Sequence, residues 1–231
     1  MLGGVLKDLV KGLRSTPQDV IEIISATRMS EEQFWSTSAL GQSIRRIAEE
    51  DPRLRASVAF NNTRGLSELF NAQIHASSND SVLVFVHDDV WITDYFFGDR
   101  LVEGLKTYDV IGIAGNRRRV ANQPCWICTD MNMKWDERSN LSGGASHGQE
   151  ALGEVSIFGQ TPAECELLDG VFLAARRSRL MKSNVQFDPR FDFHFYDMDF
   201  CRTARKNGLR MGTWPICLTH QSTAAFGLSN T

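Results

Sequence analysis

The sequence predicts an α/β fold built around a largely parallel sheet, and three observations carry that prediction. First, Val82–Val86 is a short, continuous apolar run that stops abruptly at His87, Asp88 and Asp89. A buried parallel strand reads this way, and it delivers polar groups at its carboxyl end. Second, strand-like and helix-like patterns alternate between residues 54 and 114. Third, a second apolar run at residues 171–175 follows a long irregular stretch. Adjacent Asp88 and Asp89, with no neighbouring Lys or Arg, serve equally well as ligands for a divalent cation or as a cap for the next helix.

Composition narrows the functional classes. The chain has 231 residues, and its 42% hydrophobic content is enough for a real core. A formal charge of -3, from 25 Lys and Arg against 28 Asp and Glu, gives no global case for nucleic-acid binding, so an anionic ligand needs a local site. The five cysteines, at 125, 128, 165, 201 and 217, are irregularly spaced and favour a reducing compartment over a disulfide framework. Cys125 and Cys128 form a CxxC, but no second half of a zinc motif follows. No run reaches the ~20 apolar residues of a membrane span, and no secretory leader is evident. The expectation is a cytoplasmic protein that does not associate with membranes.

Residues 1–52 read as an amino-terminal helical arm, and residues 53–231 as the main domain. Leu2, Leu6, Leu9 and Leu13 fall at helical spacing, which suits packing or self-association into a homo-oligomer. Thr16, Pro17 and Asp19 look like a helix start, and Val20, Ile21, Ile23 and Ile24 would continue its buried face. Ser30 with Gln33 forms a capping box before a helix bearing Phe34, Trp35, Leu40 and Ile44.

Asp51-Pro52 breaks that pattern, and residues 54–60 read as a strand. The turn Asn61-Asn62-Thr63-Arg64-Gly65 leads to a helix carrying Leu66, Leu69, Phe70 and Ile74, which crosses to the strand ending at His87. Loops that follow strands of such a unit open on one sheet edge, so Asn61, Asn62 and Arg64 are expected to face the crevice of Asp88 and Asp89. A helix over residues 94–106 and a strand over 110–114 continue the alternation. Residues 116–163 then carry several glycines, Trp126, Trp135 and three consecutive arginines at 117–119. So long an irregular span reads as functional loop or small hairpins. The arginines read first as a solvated run and second as a phosphate clamp. The tryptophans read as core residues, with sugar stacking as the functional alternative.

Asp169 and Gly170 precede the second apolar run, so Asp169 is either a turn former or a group at the mouth of the sheet. Phe191, Phe193, Phe195, Tyr196 and Phe200 surround Asp192, His194, Asp197 and Asp199, before a helix that Gly208 ends. Asp197 falls where the N-cap belongs. It reads as a cap or as a general base that the helix dipole keeps ionised but weakly basic. Strands over 209–213 and 216–218 lead to His220, a structural residue or a further metal ligand.

Four segments in order, VLVFVHDDV, LLDGVFLAARRSRL, FDFHFYDMDFCRTARKNGLRM and PICLTHQS, resemble motifs of the GT-A glycosyltransferases of the family-2-like group, over about residues 54–222. The first is similar to the acidic strand-end motif that binds metal and donor diphosphate, although here it is His-Asp-Asp rather than a spaced DxD. The third is similar to a segment with a Glu as base, where this chain has Asp197. The resemblance implies a GT-A, Rossmann-like mixed sheet flanked by helices. It also implies a metal-dependent transferase that moves a sugar with inversion from a nucleotide-sugar donor to a carbohydrate or glycan acceptor.

On that resemblance Asp89 and His220 hold Mn(II) or Mg(II), Asp88 assists beside the diphosphate, and Asn61, Asn62 and Arg64 line the nucleotide pocket. Asp169 orients sugar or acceptor, and Asp197 takes the acceptor proton. Two other readings place similar groups. A nucleotidyltransferase also sets acidic metal ligands at strand ends but needs a Gly-rich phosphate loop, which FNNTRG is not. A sugar-binding module needs no base.

Overall fold

The computed structural model describes residues 19–77 and 80–221. The helix expected from Leu2 to Leu13 lies outside them. The first element is a strand, β1 (Ile21–Ala26), which corrects the expectation of a helix through Val20 to Ile24. Three β-branched isoleucines favour an extended backbone, and Ile21, Ile23 and Ile24 are all buried between strands on either side. A helix with a single apolar face would leave one of these flanks uncovered. The capping box at Ser30 and Gln33 does form, and it opens α1 (Glu31–Thr37). Ser38 then caps α2 (Ala39–Glu50) through the Gly41 amide.

The alternation that follows agrees with the sequence. β2 (Leu54–Ala59), α3 (Leu66–Ala76) and β3 (Val82–Val86) form a crossover unit. β1 pairs in parallel with both β2 and β3, in register at Ile21↔Leu54 and Ile21↔Val82. The chain thus runs outward from β1 to β2 and returns to the other side of β1 as β3. The strand order reverses there, and the carboxyl ends of β1 and β3 flank a topological switch point. All five residues of β3 are buried, as its unbroken apolar run requires.

Beyond β3 come β4 (Val90–Ile92), α4 (Phe97–Thr107), β5 (Val110–Gly112) and β6 (Ala114–Asn116). β4 was not evident in the sequence, and the strand expected over 110–114 is divided at Ile113 between two sheets. The long irregular stretch contains the hairpin β7 (Leu141–His147) and β8 (Glu154–Gly159), then β9 (Ala163–Glu164) and β10 (Leu167–Leu168). Gly143 is required here: its φ is +87°, and a Cβ would lie 1.9 Å from the Ile113 carbonyl oxygen. β11 (Phe172–Arg176), α5 (Arg177–Lys182), α6 (Tyr196–Lys206), β12 (Met211–Thr213) and β13 (Leu218–His220) complete the described chain.

The main sheet has seven strands in the order β2-β1-β3-β11-β5-β12-β9, and it is mixed because β11 runs antiparallel to β3 and β5. A second sheet follows the order β10-β6-β7-β13-β4, with β8 on β7. Beneath the carboxyl ends of the main sheet, Phe187 stacks on Phe200 with centroids 4.3 Å apart and meets Phe85 at 5.1 Å and Tyr196 at 5.9 Å. These packed rings give the site above them a rigid floor. No helix among the described residues is long and apolar enough to cross a membrane.

Candidate functional site

The turn after β3 is pinned from three directions. The His87 amide donates to the Val171 carbonyl at 3.2 Å, the Leu40 amide to the Asp88 carbonyl at 3.2 Å, and the Gln221 amide to the Asp89 carbonyl at 2.8 Å. β4 pairs antiparallel with β13, which sets His220 opposite Val90 and next to Asp89. His220 Nε2 lies 3.2 Å from Asp89 Oδ2. His87, Asp89 and His220 each offer a ligand atom, and those atoms all lie within 4.8 Å of one another.

This group fits a divalent cation. Asp89 Oδ1 is buried and has no hydrogen-bond partner, a costly state for a carboxylate oxygen unless a cation meets it. Burial works to raise the Asp89 carboxyl, but the hydrogen bond from His220 and the charges of His220 and His87 hold it below the usual range. Burial pushes the His87 imidazole down, which favours the neutral ring a metal needs. His220 is also opposed by burial, yet its Asp89 partner raises it.

Tyr196 supports His87. Its hydroxyl donates to the Gly170 carbonyl at 2.6 Å and lies 2.9 Å from His87 Nε2. Phe193 stacks on the His87 ring with centroids 5.6 Å apart. Gly170 is confined by the same group, since a Cβ there would come within 2.6 Å of the Tyr196 oxygen and 2.7 Å of the Asp197 Cβ.

Asp197 sits in the first turn of α6 rather than at its N-cap. The cap is Phe195, whose φ of 65° is left-handed and whose side chain makes no capping bond. Such a backbone costs a bulky residue of order 1–3 kcal/mol, and the exposed Phe193 and Phe195 both line the cavity. Asp197 Oδ2 accepts the Gly170 amide at 3.1 Å, and Oδ1 accepts the Met198 amide at 2.8 Å. The expectation of a weakly basic carboxylate is corrected: burial, and next the charge of Asp169, push Asp197 up to about 6. The two amide bonds lower it by less. Asp169 holds its own loop through the Val171 amide, at 3.1 Å.

One cavity of about 450 Å³ is lined by His87, Asp89, Asp169, Asp197 and His220, so four of the sequence-predicted residues meet there together with His87. Asp88 faces a neighbouring cavity of about 510 Å³ at the switch point, shared with Asn62, Arg64 and residues 26–29. Asn61 is not among the residues lining it. Its amide instead donates to the Met29 carbonyl, tying the loops after β1 and β2 together. Arg64 is held by Glu68 at 2.9 Å, whereas Arg28 enters the same cavity with a guanidinium that has no hydrogen bond or ion pair among the described residues. Arg28 carries no signal in the sequence, as a lone arginine between two expected helices. Trp126 borders the cavity of about 450 Å³ but is 2% exposed and meets Phe158 edge-on, and Trp135 lies outside it, so neither presents a free ring face there.

A family model described as glycosyltransferase like family matches residues 49–223. A search of curated proteins found no match. Among solved structures, the chain is similar to GalNAc-T7 crystallised with UDP, GalNAc and Mn2+, with TM-score 0.52 and 8% identity, covering 92% of this chain and 45% of that one. It is similar to the mannosyltransferase PcManGT from Pyrobaculum calidifontis, with TM-score 0.46 and 16% identity, covering 96% of this chain and 65% of the other. It is also similar to the catalytic domain of Drosophila beta1,4galactosyltransferase 7, with TM-score 0.49 and 10% identity, covering 84% and 64%. The chain therefore spans less than two thirds of each of these structures. The mixed sheet, its switch point and the acidic turn after β3 form the GT-A fold, and the chain belongs to the glycosyltransferase-like family.

Proposed function

We propose that this chain is a metal-dependent glycosyltransferase that moves a sugar from a nucleotide-diphosphate donor to an acceptor hydroxyl, with inversion. The observation that carries this reading is one cavity holding a candidate cation site and, apart from it, a carboxylate whose basicity is raised. Two separate tasks, charge neutralisation and proton removal, are thereby assigned to separate groups.

The nucleotide lies in the switch-point cavity, bordered by Asn62, Arg64 and Asp88, with Arg28 available to the diphosphate. His87, Asp89 and His220 hold the cation. Two imidazoles with one carboxylate suit Mn(II) better than Mg(II), which takes oxygen ligands. A divalent cation there supplies positive charge to the diphosphate as it leaves. The acceptor hydroxyl oxygen attacks the anomeric carbon, its proton passes to Asp197, and the bond from that carbon to the diphosphate oxygen breaks with its electron pair. With a value of about 6, Asp197 is about nine-tenths ionised at pH 7 and is a stronger base than an ordinary aspartate. Asp169 keeps Asp197 basic through its charge and orients sugar hydroxyls.

A donor titration tests the cation site. Asp89→Ala abolishes the Mn(II) dependence of nucleotide-sugar binding while the fold, followed by circular dichroism, persists. Unchanged Mn(II)-dependent affinity overturns the assignment.

A further inference from the structure

A third cavity, of about 280 Å³, adjoins the catalytic one, and Phe195 and Met198 line both. Arg119 and Arg202 both line it, one from the loop after β6 and one from α6. Neither guanidinium has a hydrogen bond or ion pair among the described residues. Arginines elsewhere are mostly engaged: Arg53, Arg100, Arg118, Arg176, Arg179 and Arg205 all lie in ion pairs. Arg118, beside Arg119 in sequence, is fixed to Asp136, which anchors the loop and leaves Arg119 free at its edge. Asp199 also lines the cavity, so the two arginines leave one net positive charge there.

The catalytic cavity shares lining residues with both of the others. The switch-point cavity meets the catalytic one at Phe193, and the arginine cavity meets it at Phe195 and Met198, the latter next to Asp197 in sequence. We propose that the arginine cavity binds an anionic group, a phosphate or a carboxylate, carried by the acceptor beside the hydroxyl that reacts. This rests on the transferase reading for the word acceptor, and on the unpaired guanidinium groups for the anion. Arginine forks match both groups bidentately, and the net charge is small, so the anion adds to binding through the hydroxyl rather than replacing it. Specificity then lies in α6 and the loop after β6, outside the segments that hold the cation.

Two measurements separate the inference from the reading beneath it. In the first, protein labelled with 15N-arginine is titrated with glucose 6-phosphate, glucuronate and glucose, with Arg119→Gln and Arg202→Gln used to assign the signals. The Nε–Hε signals of Arg119 and Arg202 shift saturably with glucose 6-phosphate, with glucuronate, or with both, which identifies the anion, and they do not shift with glucose. No shift at either arginine, or a shift at Arg28 alone, overturns the proposal, whether or not the chain transfers sugar. In the second, transfer is compared between acceptors that differ only by the anionic group. The wild type prefers the anionic acceptor by about tenfold or more in kcat/KM, and the Arg119→Gln/Arg202→Gln variant loses that preference while its transfer to the neutral acceptor is unchanged. A preference that survives in the variant, or is absent from an active wild type, contradicts the inference.

Discussion

Tyr196 fixes the tautomer of His87. The phenol has one proton, and it goes to the Gly170 carbonyl at 2.6 Å, so at the 2.9 Å contact the imidazole Nε2–H must donate to the Tyr196 oxygen. The lone pair of neutral His87 is therefore on Nδ1, which leaves that nitrogen to serve as a ligand. A partner of this kind usually sets both ring orientation and affinity. Tyr196→Phe removes it, and Mn(II) affinity measured by calorimetry falls by about 10–100-fold. Unchanged affinity excludes His87 from the ligand set.

Asp197→Asn keeps the size of the side chain but removes the base. Donor affinity stays as in the wild type, while transfer falls by about 10²–10⁴-fold. In the wild type, kcat/KM rises with pH through about 6, the value to which burial and Asp169 push this carboxyl, and the variant lacks that limb. A variant with normal turnover would reduce Asp197 to an anchor for the Gly170 and Met198 amides.

The same group leaves a mark on stability. Its folded value is about 6 against 3.8 for the ordinary carboxyl, so the native state keeps the proton to higher pH than the unfolded chain. The contribution is complete below about 3.8 and is lost as pH rises to about 6, amounting to about 3 kcal/mol. Urea unfolding of wild type and Asp197→Asn across that window isolates the term as a difference. The wild type loses stability relative to the variant as pH rises, and parallel curves would show the carboxyl to be solvated.

Asp136 is a structural hub. It accepts from Asn116 Nδ2 and Asn140 Nδ2 at 3.0 Å, from Arg118 Nε at 2.9 Å and from the Glu137 amide at 2.8 Å. Arg118 above all holds its carboxyl well below the usual range. Its depressed value means the contribution is full at neutral pH and is lost as pH falls below the ordinary carboxylate range. Asp136→Ala strips buried Asn116 of a partner and costs about 2 kcal/mol or more at pH 7, read by thermal unfolding, and less at pH 3. An unchanged melting temperature at pH 7 would contradict the hub.

Much of this was legible because local chemistry and tertiary role agreed. The apolar run of β3 could only be a strand buried on both faces, and the acids that end it could only lie at the edge of the sheet. The Ser30 box and the helix ended by Gly208 were equally local. β1 was misread because Val20 to Ile24 suits either period, and what makes it a strand is pairing with β2 and β3, more than 25 residues away in sequence. His87 was not among the expected metal ligands because its support, Tyr196, is 109 residues distant. Asp197 resembled a cap because sequence gives the start of a helix only approximately, and the left-handed Phe195 sets that start two residues earlier. Its basicity depends on burial and on Asp169, neither of which spacing can reveal.

The central claim is tested most directly by incubating the chain with a panel of nucleotide sugars and acceptors, with Mn(II) or with a chelator, and identifying the nucleotide product. The account predicts release of nucleoside diphosphate that requires the metal and is matched by glycosylated acceptor. Pyrophosphate chemistry would instead indicate a nucleotidyltransferase, and metal-dependent binding without any released nucleotide would indicate a sugar-binding module; either result contradicts it.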